Sequence, residues 1–121
     1  MKSYNLKAVR EKTLKYFKGD ELATNAWIDK YALKNREGEI LEEFPDDMHF
    51  RLAKEFARIS CKYDSNLNYD DSFNEYFEFL HRFKYIIPGG SNMYGVGNNH
   101  SYSTLGNCFV IGNDRQSEEQ K

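Results

Sequence analysis

The sequence predicts a mainly α-helical fold: a domain of about four helices, followed by a glycine-rich segment with short β-strands. Two observations support this fold class. Through residues 1–84, apolar side chains recur at steps of three and four, which is the period of amphipathic helices. In residues 85–112 this period is lost, and the segment holds six of the eight glycines and no acidic residue. We therefore divide the chain into a helical domain over 1–84, a segment of turns and strands over 85–112, and a polar tail over 113–121.

Length and composition are those of one small folded domain. The 121 residues include 40% hydrophobic and 16% aromatic side chains, which is enough for a packed interior. The formal net charge of −2 argues against DNA, RNA or an anionic membrane surface as the main partner. The N-terminus has no signal-peptide pattern and no apolar run reaches about 18 residues, so we expect a cytoplasmic location and no membrane span.

The first two helices are predicted from their caps and apolar stripes. The first runs over 4–17, with Ser3 as its N-cap and Gly19 at its end. Asp20 caps the second helix, which closes at the turn NREGE. The expected buried stripes are Leu6, Val9, Thr13 or Leu14, and Phe17 in the first helix, and Leu22, Ala26, Trp27 or Ile28, and Tyr31 in the second.

The third and fourth helices have clearer signals. Pro45 sits at a favourable first helical position, and two aspartates follow it in the first turn, where carboxylates interact well with the helix dipole. This helix runs to about Cys61, and Asn68 or Asp70 caps the fourth helix. The expected buried faces are Met48, Leu52, Phe56 and Ile59 in the third helix, and Phe73, Phe77 and Leu80, widened by Tyr76, Phe79 and Phe83, in the fourth.

Two stretches of the last segment have the composition of short strands. They are KYII, which ends at Pro88, and NCFVI, which is bounded by Gly106 and Gly112. The cluster GVGNN between them predicts a turn. A single strand such as NCFVI leaves backbone groups unpaired, and nothing else in the chain offers enough partners to bury it. We therefore expect its partner strands in another chain.

Most familiar site patterns are absent from the sequence. The cysteines and histidines are too far apart for a zinc knuckle or ribbon, so we expect no metal site. There is no dinucleotide fingerprint and no phosphate loop. We expect structural roles for His49, His81 and His100, the first two on the surface or half-buried. The paired carboxylates fit helix starts rather than an acid–base dyad, because neighbouring residues on a helix point in different directions.

The glycine-rich turns and the cysteines remain as candidates. Closely spaced glycines, as in GGS and GVGNN, let a backbone approach a ligand, and free amides in such turns bind phosphate. Cys61 and Cys108 are expected to be reduced, because the chain has no secretory signal, and burial as a small hydrophobic residue is the simplest role for both. At the head of a strand, however, the Cys108 sulfur could do chemistry if its face lined a pocket.

Four blocks of the sequence resemble a known family in order and spacing. TNAWIDKYALKN, EGEILEEFPDDMHFRLAKEFARI, FKYIIPGGSNMYGVGNN and STLGNCFVIG are similar to the N-terminal part of the catalytic subunit of class I and class II ribonucleotide reductases. The resemblance covers nearly the whole chain from about Leu22 to Gly112, and its last two blocks are the specific ones. It implies a helical N-terminal region that leads into a ten-stranded α/β barrel, whose first strand carries NCF.

The resemblance also implies site residues. A cysteine at the position of Cys108 is, in this family, one of two that reduce the ribose 2′ carbon and become a disulfide, after a third cysteine, as a thiyl radical, takes the 3′ hydrogen. Ser91 and Asn107 match positions that bind the phosphates and ribose of the substrate. Gly90 and Gly106 beside them would allow close approach. Residues 85–112 would thus be a substrate cradle and a first barrel strand, while Cys61 lies outside the motif and keeps a structural role.

The chain departs from the family pattern. Family members often have proline where this chain has Asn92, and serine is common at the position of Asn107; a backbone contact survives both changes. The related enzymes are several times longer, so the chain would lack the thiyl cysteine, the partner cysteine and the effector loops. The polar tail after Gly112 does not continue the family pattern. We therefore expect an N-terminal fragment of a split reductase, inactive without a larger chain that carries the rest of the barrel.

The implied assembly would reduce a ribonucleotide, as diphosphate or triphosphate, with a thiol reductant. Its radical would come from a metal-containing radical subunit or from adenosylcobalamin, with no cofactor bound by this chain itself. The alternative is a non-catalytic helical module that docks on a reductase or another protein through its aromatic face. In that case Cys108 would lie far from any other thiol.

Overall fold

The computed structural model describes residues 2–110, which form five α-helices and a short 3₁₀ turn. The helices are α1 (Leu6–Tyr16), α2 (Glu21–Lys30), α3 (Pro45–Tyr63), α4 (Tyr69–Leu80) and α5 (Gly90–Gly95), with the 3₁₀ turn at His81–Phe83. α1 packs against α2, α4 folds back along α3, and α3 also contacts the 3₁₀ turn and α5. α3 is therefore the central element. None of these described helices is long and apolar enough to cross a membrane.

Side chains that satisfy the first backbone amides fix where the helices begin. Asp20 and Asn68 cap α2 and α4 as predicted, and each side chain accepts a hydrogen bond from the amide three residues further on. Pro45 opens α3, also as predicted. Local sequence signals therefore set three of the helix starts.

The predicted start of α1 is wrong. Asn5, not Ser3, is the N-cap, and its side chain accepts a hydrogen bond from the amide of Lys7 at 2.8 Å. The reason is a tertiary contact: Tyr4 pairs with Ile40 in an isolated β-bridge, and its amide donates to the Ile40 carbonyl at 2.8 Å. This pairing keeps the chain extended through Tyr4, so the helix starts later.

The hydrophobic core is centred on α3 and largely follows the predicted faces. Met48 and Leu52 of α3 and Leu80 of α4 are buried, while Phe73 and Phe77 pack at the edge of the core. Burial of these side chains is the main favourable contribution to folding. The core also contains Val9, Trp27, Ile28, Ala32, Ile40, Ala53, Met93 and Val96.

Four predicted core positions are wrong, because Leu6, Leu22, Ile59 and Phe79 are exposed. The first two lie in the first turns of α1 and α2, so the inner faces of these helices fall on later residues. Thr13 and Thr24 are fully buried there instead. Periodicity identified the faces of the helices but not how far along each helix the contact extends.

The glycine-rich segment differs most from the prediction. GSNMYG lies in the segment predicted as turns and strands but forms α5, and Met93 of this helix joins the core together with Val96 that follows it. KYII and the described part of NCFVI, residues 107–110, are not strands. A strand needs a hydrogen-bonded neighbour, and the part of the chain that the structure describes offers none. The end of the predicted strand and the predicted polar tail, 111–121, lie outside the described residues.

A polar cluster on Asp46 holds the 3₁₀ turn against α3. Its Oδ1 atom accepts hydrogen bonds from the Tyr16 hydroxyl at 2.9 Å, His49 Nδ1 at 2.9 Å and the Arg82 amide at 3.0 Å. Arg82 and Phe83 have φ angles of 57° and 53°, a left-handed conformation that is unfavourable outside glycine. The Phe83 ring packs edge-on against the imidazole of His49, with 4.4 Å between centroids. Asp46 thus stabilises a strained turn that leads the chain toward α5.

The three histidines differ in burial. His49 is fully buried, so its predicted surface or half-buried position is wrong; the hydrogen bond to Asp46 and the contact with Phe83 account for this burial. His81 follows α4 directly and is partly exposed. His100 lies after α5, also partly exposed, and its amide donates to the side chain of Asn98.

The contacts of Asp46 shift two pKa values. Burial raises the pKa of the Asp46 carboxyl, but hydrogen bonds from His49, the Arg82 amide and Tyr16 outweigh it and lower the pKa to about 2. Burial, and then the hydrogen bond to Asp46, raise the pKa of the Tyr16 hydroxyl. Because the folded pKa of Asp46 lies below its ordinary value of 3.8, its stabilising contribution is complete above that value and is lost as the pH falls toward about 2.

We predict that Asp46→Asn removes this pH dependence. Between about pH 5 and about pH 2, the free energy of unfolding of the unchanged chain should fall by about 2 kcal/mol more than that of the variant, since asparagine cannot be protonated in this range. Urea unfolding followed by circular dichroism at each pH measures the difference. Asp29→Asn, at an exposed position of α2, is the control and should keep the pH dependence of the unchanged chain. If the free energy of unfolding fell equally with pH in the unchanged chain and in Asp46→Asn, the lowered pKa of Asp46 would be contradicted.

Candidate functional site

An arginine of α3 holds the carboxyl end of α5. The Arg51 guanidinium donates to the carbonyl of Met93 at 2.8 Å and to that of Val96, and its Nε donates to Glu42 Oε1 at 2.6 Å. The second oxygen of Glu42 accepts from the amide of Leu33 at 2.9 Å. Both charged side chains are nearly buried, with 9% of Arg51 and 5% of Glu42 exposed. Each charge of the pair is therefore compensated by the other. Arg51 also donates to two backbone carbonyls that have no partner within the helix.

Gly97 completes this junction. Its φ is +68°, and a Cβ placed on it would lie 3.0 Å from Cγ and 3.3 Å from the carbonyl oxygen of Arg51. Both the left-handed backbone and the close approach therefore require glycine at this position. The motif GVGNN, selected as a possible ligand turn, here serves the packing of the chain on α3.

The amino end of α5 brings together two of the predicted site residues. The Ser91 hydroxyl donates to Asn107 Oδ1 at 2.5 Å, and the Ser91 amide lies 3.4 Å from the same oxygen. Gly90 lies against the ring of Tyr31, where a Cβ would come within 3.2 Å of Cε1. Gly106 has open space around it, since a Cβ there would meet nothing within 4 Å. A hydroxyl, an amide and flexible glycines thus share one small surface.

Cys108 follows Asn107 directly and is exposed, so its expected burial is wrong. Cys108 belongs to a continuous exposed segment, residues 101–110. Cys61 is partly buried on α3, and its thiol donates to the carbonyl of Leu67 at 3.7 Å. A local hydrogen bond of this kind fits the structural role expected for Cys61.

Residues 103–107 return along α5 in the opposite direction. A Cβ placed on Gly95 would lie 2.3 Å from Ser103 Oγ and 2.9 Å from Leu105 Cδ2. At the other end of the helix, a Cβ on Gly89 would lie 2.0 Å from Asn107 Nδ2. The segment can lie this close only because the two positions lack side chains. Apart from the clustering of glycines, nothing in the sequence indicated this contact or the role of Arg51.

The candidate site is an open surface rather than a closed cavity. A cavity of about 540 Å³ is lined by Arg51 and neighbouring charged residues. A second, apolar cavity of about 490 Å³ lies between α3, α4 and Pro88. Ser91, Asn107 and Cys108 line neither cavity. Within residues 2–110, no group of three or more histidine, cysteine, aspartate or glutamate side chains is arranged to hold a metal ion. Among residues 2–110, the site therefore consists of polar groups and one exposed thiol, without an enclosing wall.

Comparison with known proteins gives one match. The family model described as "Ribonucleotide reductase, all-alpha domain" matches residues 17–101. This range includes α2 to α5 and Ser91, and it ends before Asn107 and Cys108. No curated protein and no solved structure matches the chain significantly.

We predict that Arg51→Met destabilises the domain by about 3–5 kcal/mol, because Glu42 would be left as a buried, unpaired charge and the end of α5 would lose its donors. Urea unfolding measures this loss. Arg58→Met on the same helix is the matched control: Arg58 pairs with Glu55 at the surface, with 60% of its side chain exposed, and should change stability little. The double variant Glu42→Met with Arg51→Met should be more stable than Arg51→Met alone, since no unpaired charge remains. An Arg51→Met chain as stable as the unchanged one would refute the role of this pair.

Proposed function

Because the chain belongs to the family of the ribonucleotide reductase all-alpha domain, we propose that it contributes part of the active site to the radical-based reduction of ribonucleotides to deoxyribonucleotides. In this proposal Cys108 is a redox cysteine. Ser91 and Asn107 contact the phosphates and ribose of the substrate, and Gly90 and Gly106 leave room for it. The helical domain acts as the base on which these groups are held.

The redox step needs two thiols. The bond between the ribose 2′ carbon and its oxygen breaks, the oxygen leaves as water, and two thiols supply two electrons and two protons and join as a disulfide. A third cysteine, as a thiyl radical, removes the 3′ hydrogen beforehand and returns it afterwards. Cys108 would supply one of the two reducing thiols, and a thiol reductant would restore it by disulfide exchange.

The hydrogen bond between Ser91 and Asn107 is the observation that carries the proposal. These residues are 16 positions apart, yet the serine hydroxyl lies 2.5 Å from the carboxamide oxygen, and the next residue is an exposed thiol. A hydroxyl and an amide are suited to phosphate and ribose oxygens, and a thiol that exchanges must be accessible. This proximity supports the proposal that Ser91, Asn107 and Cys108 act at one site.

A larger chain would complete the site. The second reducing thiol and the thiyl cysteine would lie there, together with the remaining strands of the barrel. Large apolar side chains beside Cys108 are exposed, with 81% of Phe109 and 103% of Val110 accessible. Apolar surface of this kind is typical of interfaces. We propose that NCFVI pairs with a strand of that chain, and that the radical source, a metal-containing subunit or adenosylcobalamin, binds elsewhere in the assembly.

We predict that Cys108→Ser abolishes deoxyribonucleotide formation by the chain reconstituted with the larger catalytic chain, with a loss of at least about 1,000-fold, because serine cannot form the disulfide. Chromatographic assay of the deoxyribonucleotide product measures the effect. Cys61→Ser is the control and should retain turnover, since its thiol bonds within the helical domain. If Cys108→Ser remained active while still bound to the larger chain, the chain would instead be a non-catalytic module that docks through its exposed apolar residues.

A further inference from the structure

We infer that Asn107 is a positioning residue that fixes Cys108 against α5 before any strand pairing occurs. The inference rests on the proposed function for its purpose, but its geometry stands on the described residues alone. The 3.4 Å and 2.5 Å contacts of Asn107 Oδ1 with Ser91 tie the residue before the thiol to the first turn of α5. We call this contact, together with the two glycine approaches beside it, the α5 latch.

The path of the chain argues for a latch rather than a chance contact. Ser103 and Leu105 lie over Gly95, and Asn107 lies over Gly89, so the returning segment follows the whole length of the helix. At a helical position such as Gly95, alanine is intrinsically favoured over glycine. At Gly95, however, its methyl group would lie 2.3 Å from Ser103 Oγ. Gly95 therefore has a packing role that helix propensity opposes.

The carboxamide is suited to this contact. One oxygen, Oδ1, faces both the hydroxyl and the amide of Ser91, so removal of the side chain leaves two donors without this partner. Asn107→Asp keeps the acceptor oxygen and the length of the side chain. Asn107→Ala removes both. The pair of variants therefore separates a specific hydrogen bond from general packing.

Nuclear magnetic resonance relaxation of the ¹⁵N-labelled 121-residue chain tests the latch. In the unchanged chain the amide of Cys108 should have an order parameter near that of a rigid backbone, about 0.85, and in Asn107→Ala it should fall below about 0.6. Ser91→Ala should lower it as well, and the double variant should lower it no further, since both changes remove one contact. Asn107→Asp should restore it. The amides of α3 and α4 report in each variant that the domain remains folded.

The glycines supply a second, independent arm. Gly89→Ala and Gly95→Ala should each release the Cys108 segment, whereas Gly106→Ala, which meets nothing within 4 Å, should leave its order parameter unchanged. An unchanged value in Asn107→Ala, or the same decrease in Gly106→Ala as in Gly95→Ala, would overturn the inference. The measurement needs neither substrate nor partner. An unchanged order parameter in Asn107→Ala would therefore contradict the latch without testing the redox role of Cys108. Activity of the Cys108→Ser enzyme would contradict the redox role without testing the latch.

Discussion

The buried ion pair of Arg51 and Glu42 is the interaction on which the placement of the glycine-rich segment depends. α5 has only six residues, and a helix of this length is not stable by itself in water. Two backbone carbonyls at its end receive donors from Arg51, and Met93 and Val96 anchor it in the core. Removing two charges from water is costly, and the hydrogen bonds that Arg51 and Glu42 make to each other and to backbone groups offset this cost. The same contacts that stabilise the domain therefore also set the position of Ser91.

A second polar centre, Asp46, acts at the other end of the same stretch. It stabilises the left-handed residues Arg82 and Phe83, through which the chain leaves α4. Asp46 and Arg51 both belong to α3, so one helix determines where the chain enters and where it leaves the region between the 3₁₀ turn and Gly97. A rigid helix is a suitable base for a site, because groups held on regular elements are placed more accurately than groups on loops.

The sequence predicted the helices well and the glycine-rich segment poorly, for a physical reason. Helix starts at Asp20, Pro45 and Asn68 depend on neighbours within one turn, and such signals are visible in the sequence. α5 and the start of α1 depend on contacts with residues distant in sequence, Arg51 and Ile40, which periodicity does not reveal. The candidate site shows the same division. Cys108, Ser91 and Asn107 were identified through a resemblance, whereas the hydrogen bond between the last two arises from the fold.

Side-chain contacts, rather than strand pairing, position the segment that carries Cys108 in the described part of the chain. A strand at the edge of a sheet is positioned by its neighbours, but residues 107–110 have none in the described part of the chain. Side-chain contacts along α5 hold the start of this segment instead, while Phe109 and Val110 are exposed. The contacts with α5 thus hold the residue before the Cys108 thiol, and in the proposed assembly a second chain would contribute the enclosure of this thiol. If Cys108 reacts as proposed, first with a substrate and then with a reductant, this arrangement keeps its position independent of the surface of the second chain.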